Sequence, residues 1–330
     1  MSHTQVVIVI AIALLAVMVV AVKSRKTMLK NILLSIVSAG YCLLALEVAF
    51  YFIPKTNNYG KTLGTEVWRR YYWRTNSGGF RDEEWVQKDS TKKKIAFIGD
   101  SFTAGYGIDN PDNRFSNLVA TALQDSFEFY NLAVTGSNTD IKTEMLSTVN
   151  IKPDVVIYQY FVDDIVDTRI RFDHTRPTPN PYKDYPQPVT FIIQNSYLIN
   201  YLYWEFPHFI INYYQNYLAS CYNNPLLATE HRKAISNLIA YTRAHNIRLV
   251  FLVIPWTPLY NYSNHLTQNI EQLVSDSAIT TINITPALDT IPANEIMVNR
   301  HDLHLNERGN RLVADIILEK VFGIKPEANP

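Results

Sequence analysis

Apolar runs alternate with polar stretches along most of this chain, and the first two runs are unusually long. The segment VVIVIAIALLAVMVVAV, from Val6 to Val22, contains no charged residue, and the run from Ile32 to Ile53 contains one acid, Glu47. Segments of this length approach or exceed what a helix needs to cross a hydrocarbon core. The pattern predicts two membrane-spanning helices within residues 1 to 54.

The turn between these runs is basic. Its sequence, KSRKTMLK, places four cationic side chains after the first run. A cleavable signal peptide carries its positive charges before the apolar segment, so a helical hairpin fits better. The positive-inside rule puts this turn in the cytoplasm and the rest of the chain outside it. Four further cations follow the second run and count against that orientation: Lys55, Lys61, Arg69 and Arg70.

Glu47 is an acid within an otherwise apolar run, and two interpretations stay open. It contacts another helix or a partner inside the membrane, as intramembrane acids often do. Alternatively, its side chain reaches toward the membrane surface.

The remainder of the chain alternates short apolar runs with amphipathic stretches, as α/β domains do. After a polar and aromatic neck at 55–90, four short apolar runs, KIAFIG, FEFYNLAV, DVVIYQYF and IRLVFLVIP, predict strands. Four amphipathic stretches, RFSNLVATALQD, TDIKTEMLSTV, EHRKAISNLIAYTRAH and GNRLVADIILEKVF, predict helices. Continuous apolar strands separated by helices indicate a mostly parallel sheet covered on both faces, a three-layer α/β sandwich over residues 91–330.

An aromatic-rich insertion at about 171–224 interrupts this alternation of predicted strands and helices. It begins with a proline-rich stretch and continues as SYLINYLYWEFPHFIINYYQNYLASCYNN. These aromatics form either a helical insertion packed on the core or a cap that faces carbohydrate or lipid.

Charge and cysteine content exclude several classes of protein. Thirty basic and thirty acidic side chains balance, so the chain lacks the basic footprint of a nucleic-acid-binding protein. Its two cysteines, Cys42 and Cys221, lie in different contexts and predict no disulfide. We expect no cofactor.

A candidate nucleophile follows the first predicted strand, where IAFIGDSFTAG brings Ser101 to a strand-to-helix turn. Such a turn presents a serine hydroxyl at the edge of the sheet, although Gly-Asp-Ser is also an ordinary turn and helix cap. Three later sites in the sequence favour a catalytic role for Ser101. His304 follows Asp302 by two residues and precedes the last helix, as a base and its orienting carboxylate would. Gly136 follows the second strand, and Asp163 follows the third.

With these blocks in order, residues 76 to 322 resemble the SGNH/GDSL hydrolases, whose fold is flavodoxin-like. GDSF is similar to the first block, with Ser101 as nucleophile and oxyanion donor, and NLAVTGSNT to the second, with Gly136 as a further donor. FVDDI resembles the third block, and DLHLNERGN the last, with Asp302 and His304 completing the triad. NSGGFRD, residues 76 to 82, is similar to a loop found ahead of the first block in bacterial members.

The third block departs from the family pattern. Asp163 stands where an asparagine amide usually donates to the oxyanion, and Phe161 stands where glycine is usual. An ionised carboxylate cannot donate, whereas a protonated one can. If Asp163 is ionised, hydrolysis is slowed or lost. If a raised pKa keeps Asp163 protonated, its acid group donates to the oxyanion and hydrolysis is retained.

The resemblance implies a membrane-anchored, extracytoplasmic serine esterase that removes or transfers a small acyl group, such as acetyl, on a glycan or lipid hydroxyl. A membrane-bound acyltransferase partner would suit the transferase version. The alternative is a non-catalytic scaffold that binds a glycan or protein. A metal site at His301, Asp302 and His304 is disfavoured, because no second cluster supplies further ligands.

Overall fold

A computed structural model describes residues 3–58, 62–85, 91–173, 181–182, 184–206, 210–257, 259–277 and 279–325. The chain forms two compact units. The N-terminal unit comprises Met1–Tyr71 and Asn180–His208, and the sheet unit comprises Tyr72–Pro179 and Phe209–Pro330.

The N-terminal unit begins with two long apolar helices, α1 (His3–Lys23) and α2 (Thr27–Phe50), both candidate membrane spans by length and composition. Most of their side chains are exposed, unlike those of a core helix in a soluble domain. The two helices pack closely at Gly40, where an added Cβ would lie 2.6 Å from Leu14 Cδ2. Small residues at such crossings let helix backbones approach one another.

The core of the sheet unit is a five-stranded parallel sheet in the order β2-β1-β3-β4-β5. The strands are β1 (Lys93–Ile98), β2 (Phe127–Asn131), β3 (Val155–Phe161), β4 (Arg248–Ile254) and β5 (Thr280–Asn283). A separate antiparallel pair, β6 (Met297–Asn299) and β7 (Asp302–Leu305), precedes the final helix.

The remaining helices, in chain order, are α3 (Leu63–Tyr72), α4 (Phe115–Leu123), α5 (Thr139–Thr148), α6 (Val166–Asp173), α7 (Gln187–Asn195), α8 (Tyr197–Glu205), α9 (Ile210–Tyr222), α10 (Pro225–Ala244), α11 (Tyr260–Asp276), α12 (Thr285–Leu288), α13 (Ala293–Ile296) and α14 (Glu307–Phe322). Two 3₁₀ turns lie at Pro111–Asn113 and Val162–Ile165.

Successive residues of the central strands point to opposite faces of the sheet, and each face carries its own core. On β1, Ile95 and Phe97 join a cluster that includes residues of α4 and α14, while Ala96 and Ile98 join one that includes residues of α5 and α10. Burial on both faces explains why these strands read as continuous apolar runs. The predicted α/β sandwich with a mostly parallel sheet is confirmed.

The sequence pattern missed some elements. Helix α3 lies in the segment predicted to be an irregular neck, and the fifth strand, TTIN, was not predicted because threonine and asparagine conceal its apolar residue. The described part of the insertion is helical. Its proline-rich stretch lies mostly outside the described residues, and residues 180–208 belong to the N-terminal unit.

Candidate active site

The turn after β1 is built to hold Ser101 in one position. A Cβ at Gly99 would lie 2.1 Å from Thr103 Oγ1 and 2.4 Å from Gln159 Oε1, so only glycine fits there. The Asp100 N–H donates to Gln159 Oε1 at 2.9 Å, and Asp100 Oδ1 accepts from the Phe102 N–H at 2.8 Å. These bonds fix the backbone on both sides of the serine.

Ser101, His304 and Asp302 form a continuous hydrogen-bonded chain. His304 Nε2 lies 2.8 Å from Ser101 Oγ, and His304 Nδ1 lies 2.5 Å from Asp302 Oδ1. Asp302 is fully buried, and its Oδ1 also accepts from the His304 backbone N–H at 3.2 Å. The two-residue spacing in β7 places both side chains on one face of the strand, where the carboxylate orients the imidazole.

The surroundings of His304 favour its protonated form. Burial lowers the pKa of His304, but the Asp302 carboxylate and its hydrogen bond raise it, as do Asp100 and Asp163 more weakly. The net pKa lies above the ordinary value for histidine. The rings of Phe102 and Tyr106 each lie 4.8 Å from the imidazole centroid and enclose it.

Two backbone N–H groups, in the turns after β1 and β2, are candidate oxyanion donors. Gly136 has a φ of +72°, a conformation that glycine adopts without strain, and Ser137 Oγ donates to the Gly99 carbonyl at 3.0 Å. This last bond ties the loop after β2 to the turn that carries Ser101. Among the described residues, the N–H groups of Ser101 and Gly136 have no hydrogen-bond partner.

Asp163, the residue that departs from the family pattern, lies in the 3₁₀ turn after β3. Its Oδ2 accepts a hydrogen bond from the hydroxyl of Tyr214 on α9 at 3.1 Å. Burial raises the pKa of Tyr214 well above its usual range, and the neighbouring Asp163 raises it further. The phenol therefore keeps its proton. The aromatic insertion thus supplies a donor to the carboxylate that replaces the family asparagine.

A buried lysine balances the acidic residues behind the site. Lys142 on α5 is fully buried, and its Nζ lies 2.8 Å from both carboxylate oxygens of Asp164 and 3.7 Å from Asp100 Oδ2. Carboxylate oxygens of Asp100, Asp163 and Asp164 lie within 4.8 Å of one another. Burial raises the pKa of Asp164 to about 7, against the opposing effect of Lys142. Nothing in the sequence pattern marked Lys142, because a lysine in an amphipathic helix normally faces solvent.

The loop NSGGFRD places a second buried cation next to the nucleophile turn. Arg81 is 2% exposed, and its guanidinium donates to the carbonyls of Ala104, Gly105 and Ile108. Burial and, to a smaller extent, the positive charge of the nearby Arg114 lower the pKa of Arg81 to about 9. One side chain therefore holds the loop that follows Ser101.

His301 does not join this constellation. Its Nε2 accepts from Arg300 Nε at 2.8 Å, while Asp302 and His304 bond to each other. The predicted site residues that the structure brings together are Ser101, His304 and Asp302, with Gly136 and Asp163 in the loops after the neighbouring strands β2 and β3.

A serine, histidine and carboxylate in one hydrogen-bonded chain, at the carboxyl end of a parallel sheet, is an arrangement that ester hydrolases use. Residues 97–312 match the model of the GDSL-like lipase/acylhydrolase family, and the chain belongs to this family. The predicted resemblance is confirmed, and the family makes the protein an ester hydrolase by class.

Two solved structures are similar to part of this chain at low sequence identity. The lipase/acylhydrolase from Enterococcus faecalis is 15% identical, with a TM-score of 0.44 over 72% of this chain and all of its own. The psychrotrophic esterase EstA from Pseudoalteromonas sp. is 14% identical, with a TM-score of 0.44 over 70% of this chain and 98% of its own. Comparison with curated protein sequences gave no significant match.

Proposed function

We propose that the protein is a serine esterase of the SGNH type that removes or transfers a small acyl group, such as acetyl, on a glycan or lipid hydroxyl. The observation that carries the proposal is the 2.8 Å separation of His304 Nε2 from Ser101 Oγ, with Asp302 on the other imidazole nitrogen. A serine is a weak nucleophile until an adjacent base accepts its proton.

In the first half-reaction Ser101 Oγ attacks the ester carbonyl carbon while its proton moves to His304 Nε2. The carbonyl oxygen takes up the negative charge and accepts hydrogen bonds from the N–H groups of Ser101 and Gly136. The tetrahedral intermediate then breaks its bond to the leaving alkoxide, which takes the proton from His304. The products are a free alcohol and an acyl-serine.

In the second half-reaction a hydroxyl compound attacks the acyl-serine. His304 accepts its proton, and the Ser101 oxygen leaves and is reprotonated by His304. Water as the attacking group makes the reaction a hydrolysis and releases a carboxylic acid. A sugar hydroxyl makes it an acyl transfer, for which a membrane-bound acyltransferase would be a fitting source of acyl groups.

Phe161 supports the choice of a short acyl chain. Its ring lies 4.8 Å from that of Phe102, which in turn contacts His304, and a glycine at 161 would leave that volume open. Bulky side chains beside a nucleophile discriminate against long acyl groups by excluding their methylene groups.

We also propose that α1 and α2 anchor the protein in a membrane, with the sheet unit outside the cytoplasm. The exposed apolar side chains of both helices and the basic turn between them support this topology. A C-terminal alkaline phosphatase fusion, which folds only in an oxidising compartment, should be active, and a cytoplasmic-only fluorescent fusion should be dark. The reverse pattern would contradict the orientation.

Hydrolysis of chromogenic acetyl, butyryl and octanoyl esters by the full chain in detergent micelles tests the chemistry. We expect the acetyl ester to react fastest and Ser101→Ala to reduce turnover to background. A fluorophosphonate should label the peptide that contains Ser101 and should not label that variant. Adding a glycan acceptor then separates the two reactions, because a transferase diverts acetate into acetylated glycan.

Asp163 favours one alternative, a non-catalytic scaffold, because a carboxylate near the oxyanion position opposes the developing charge. A scaffold would show neither fluorophosphonate labelling nor any difference between the wild type and Ser101→Ala.

A further inference from the structure

Within the N-terminal unit, Glu47 of α2 caps the first turn of α8. Its carboxylate accepts from Ser196 Oγ at 2.7 Å, from the Tyr197 N–H at 2.7 Å and from the Leu198 N–H at 3.1 Å. His3 Nε2 lies 2.8 Å from the same carboxylate. The first N–H groups of a helix lack internal partners and attract negative charge, so this contact fixes the start of α8 against α2.

The contact also fixes the level of α8 relative to the ends of α1 and α2. Glu47 lies one turn before the end of α2 at Phe50, and His3 is the first residue of α1. The two spans therefore share a boundary at this level, marked by a cluster of rings. Tyr197 lies 4.7 Å from His3 and 5.0 Å from Tyr51 between ring centroids. Aromatic side chains with a polar handle collect where a membrane meets water.

Helix α8 buries one polar side chain and exposes large apolar ones. Asn200 is only 3% exposed, accepts from the Leu63 N–H at 3.0 Å and donates to the Ile193 carbonyl at 3.0 Å. On the opposite side, Leu202 is 45% exposed and Phe206, just past the helix end, is 68% exposed. Large apolar side chains exposed along one helix form a surface that does not suit water.

Helix α7 also exposes apolar side chains. Three of its apolar side chains are exposed, namely Val189, Phe191 and Ile192, and on α8 Ile199 joins Leu202 and Phe206. We call these six residues the apolar face. Surfaces that bind another membrane helix are rich in glycine, alanine, serine and threonine, whereas α7 and α8 together contain one such residue, Thr190.

We propose that the apolar face contacts lipid at the membrane–water boundary, so that α7 and α8 form a helical hairpin on the membrane surface beside the two spans. The occupant is lipid, because α8 packs against the span α2 through the Glu47 contact and the Phe50–Tyr201 rings, and because α7 and α8 offer few small residues for a helix-packing seam. The inference rests on the proposed anchoring of α1 and α2, and it is independent of the esterase chemistry.

Fluorescence quenching tests the proposal in the full chain. Cys42 and Cys221 are replaced by alanine, and single cysteines at Leu202, Phe206 or Phe191 carry an environment-sensitive label in phospholipid nanodiscs. We expect lipid spin-labelled near the headgroup to quench these labels more than aqueous iodide does. The control is Lys233 of α10, whose side chain is 68% exposed, where iodide should be the stronger quencher.

A label at Leu43, 58% exposed on α2, separates the two ways of failing. If Leu43 is quenched by lipid and the apolar face by iodide, the hairpin is outside the bilayer and the inference is wrong while the anchor stands. If the face is shielded from both quenchers, protein covers it and the inference is also wrong. If Leu43 itself escapes lipid quenching, the anchor and the inference fail together.

Discussion

Lys142 donates to both carboxylate oxygens of Asp164 at 2.8 Å in a place where neither side chain touches solvent. Removing Lys142 leaves the buried Asp164 as an unpaired charge or forces it to take up a proton, and both cost free energy. Lys142→Met should therefore lower the free energy of unfolding by about 3–5 kcal/mol. Urea unfolding of the full chain in micelles, followed by tryptophan fluorescence, measures this loss.

The same pair has a definite pH dependence. With a folded-state pKa of about 7, above the ordinary value for aspartate, Asp164 contributes stability that is lost as pH rises through about 7. Without Lys142 the neutral acid is favoured further, so the loss in Lys142→Met should be greater at about pH 8 than at about pH 6. Lys152→Met, at an exposed lysine, is the control, and adding Asp164→Asn should restore part of the stability. A loss that does not change with pH would contradict this assignment.

The raised pKa of His304 sets the pH profile of hydrolysis. Only neutral imidazole accepts the Ser101 proton, so kcat/KM should rise with pH, with a midpoint above the ordinary histidine value of about 6.5. Turnover of the acetyl ester across roughly pH 5 to 9 measures this midpoint. In NMR titrations Asp302→Asn should lower the pKa of His304, since it removes the main contribution that raises it. A midpoint at or below the ordinary value would be incompatible with the Asp302 contact.

Asp163→Asn should increase kcat. The variant supplies an amide N–H where the wild type has a carboxylate, and one oxyanion donor is worth on the order of 100-fold or more in rate. The Tyr214 hydroxyl can still donate to the new amide oxygen, so the local structure is retained. Tyr214→Phe in the same background controls for that bond. A decrease in kcat on Asp163→Asn would instead show that the acid itself takes part, as a protonated donor.

Arg81→Lys should lower kcat more than it changes KM. Lysine keeps the charge but cannot reach the carbonyls of Ala104, Gly105 and Ile108 together, so the loop after Ser101 loses its restraint. Misplacing a reacting group by about 1 Å costs on the order of 100-fold in rate. Arg74→Lys, on an exposed arginine, is the matched control. Equal kinetics for the two variants would exclude a positioning role for Arg81.

The central strands and the nucleophile turn could be predicted because their physical causes are local. Continuous apolar runs reveal buried parallel strands, and a serine directly after such a run lies at the sheet edge. Charged residues with long-range partners could not be predicted in this way. Lys142 and Arg81 looked like surface cations, and only the folded chain brings them to Asp164 and to the Ala104 carbonyl.

Glu47 illustrates the same limit within the apolar runs. Its position left a choice between a helix contact and a side chain reaching to the membrane surface. The structure gives it a partner about 150 residues away, at the start of α8. No periodicity in α2 encodes that partner, because the pairing depends on the insertion returning to the N-terminal helices.

Because the N-terminal unit combines Met1–Tyr71 with Asn180–His208, the polypeptide passes from one unit to the other three times. Deleting the first 54 or 71 residues to obtain a soluble enzyme would leave the first turn of α8 without its Glu47 cap and the apolar face without its neighbours. Such a truncation should aggregate. A shortened protein suited to biochemistry must replace residues 180–208 with a short polar linker as well as remove the anchor.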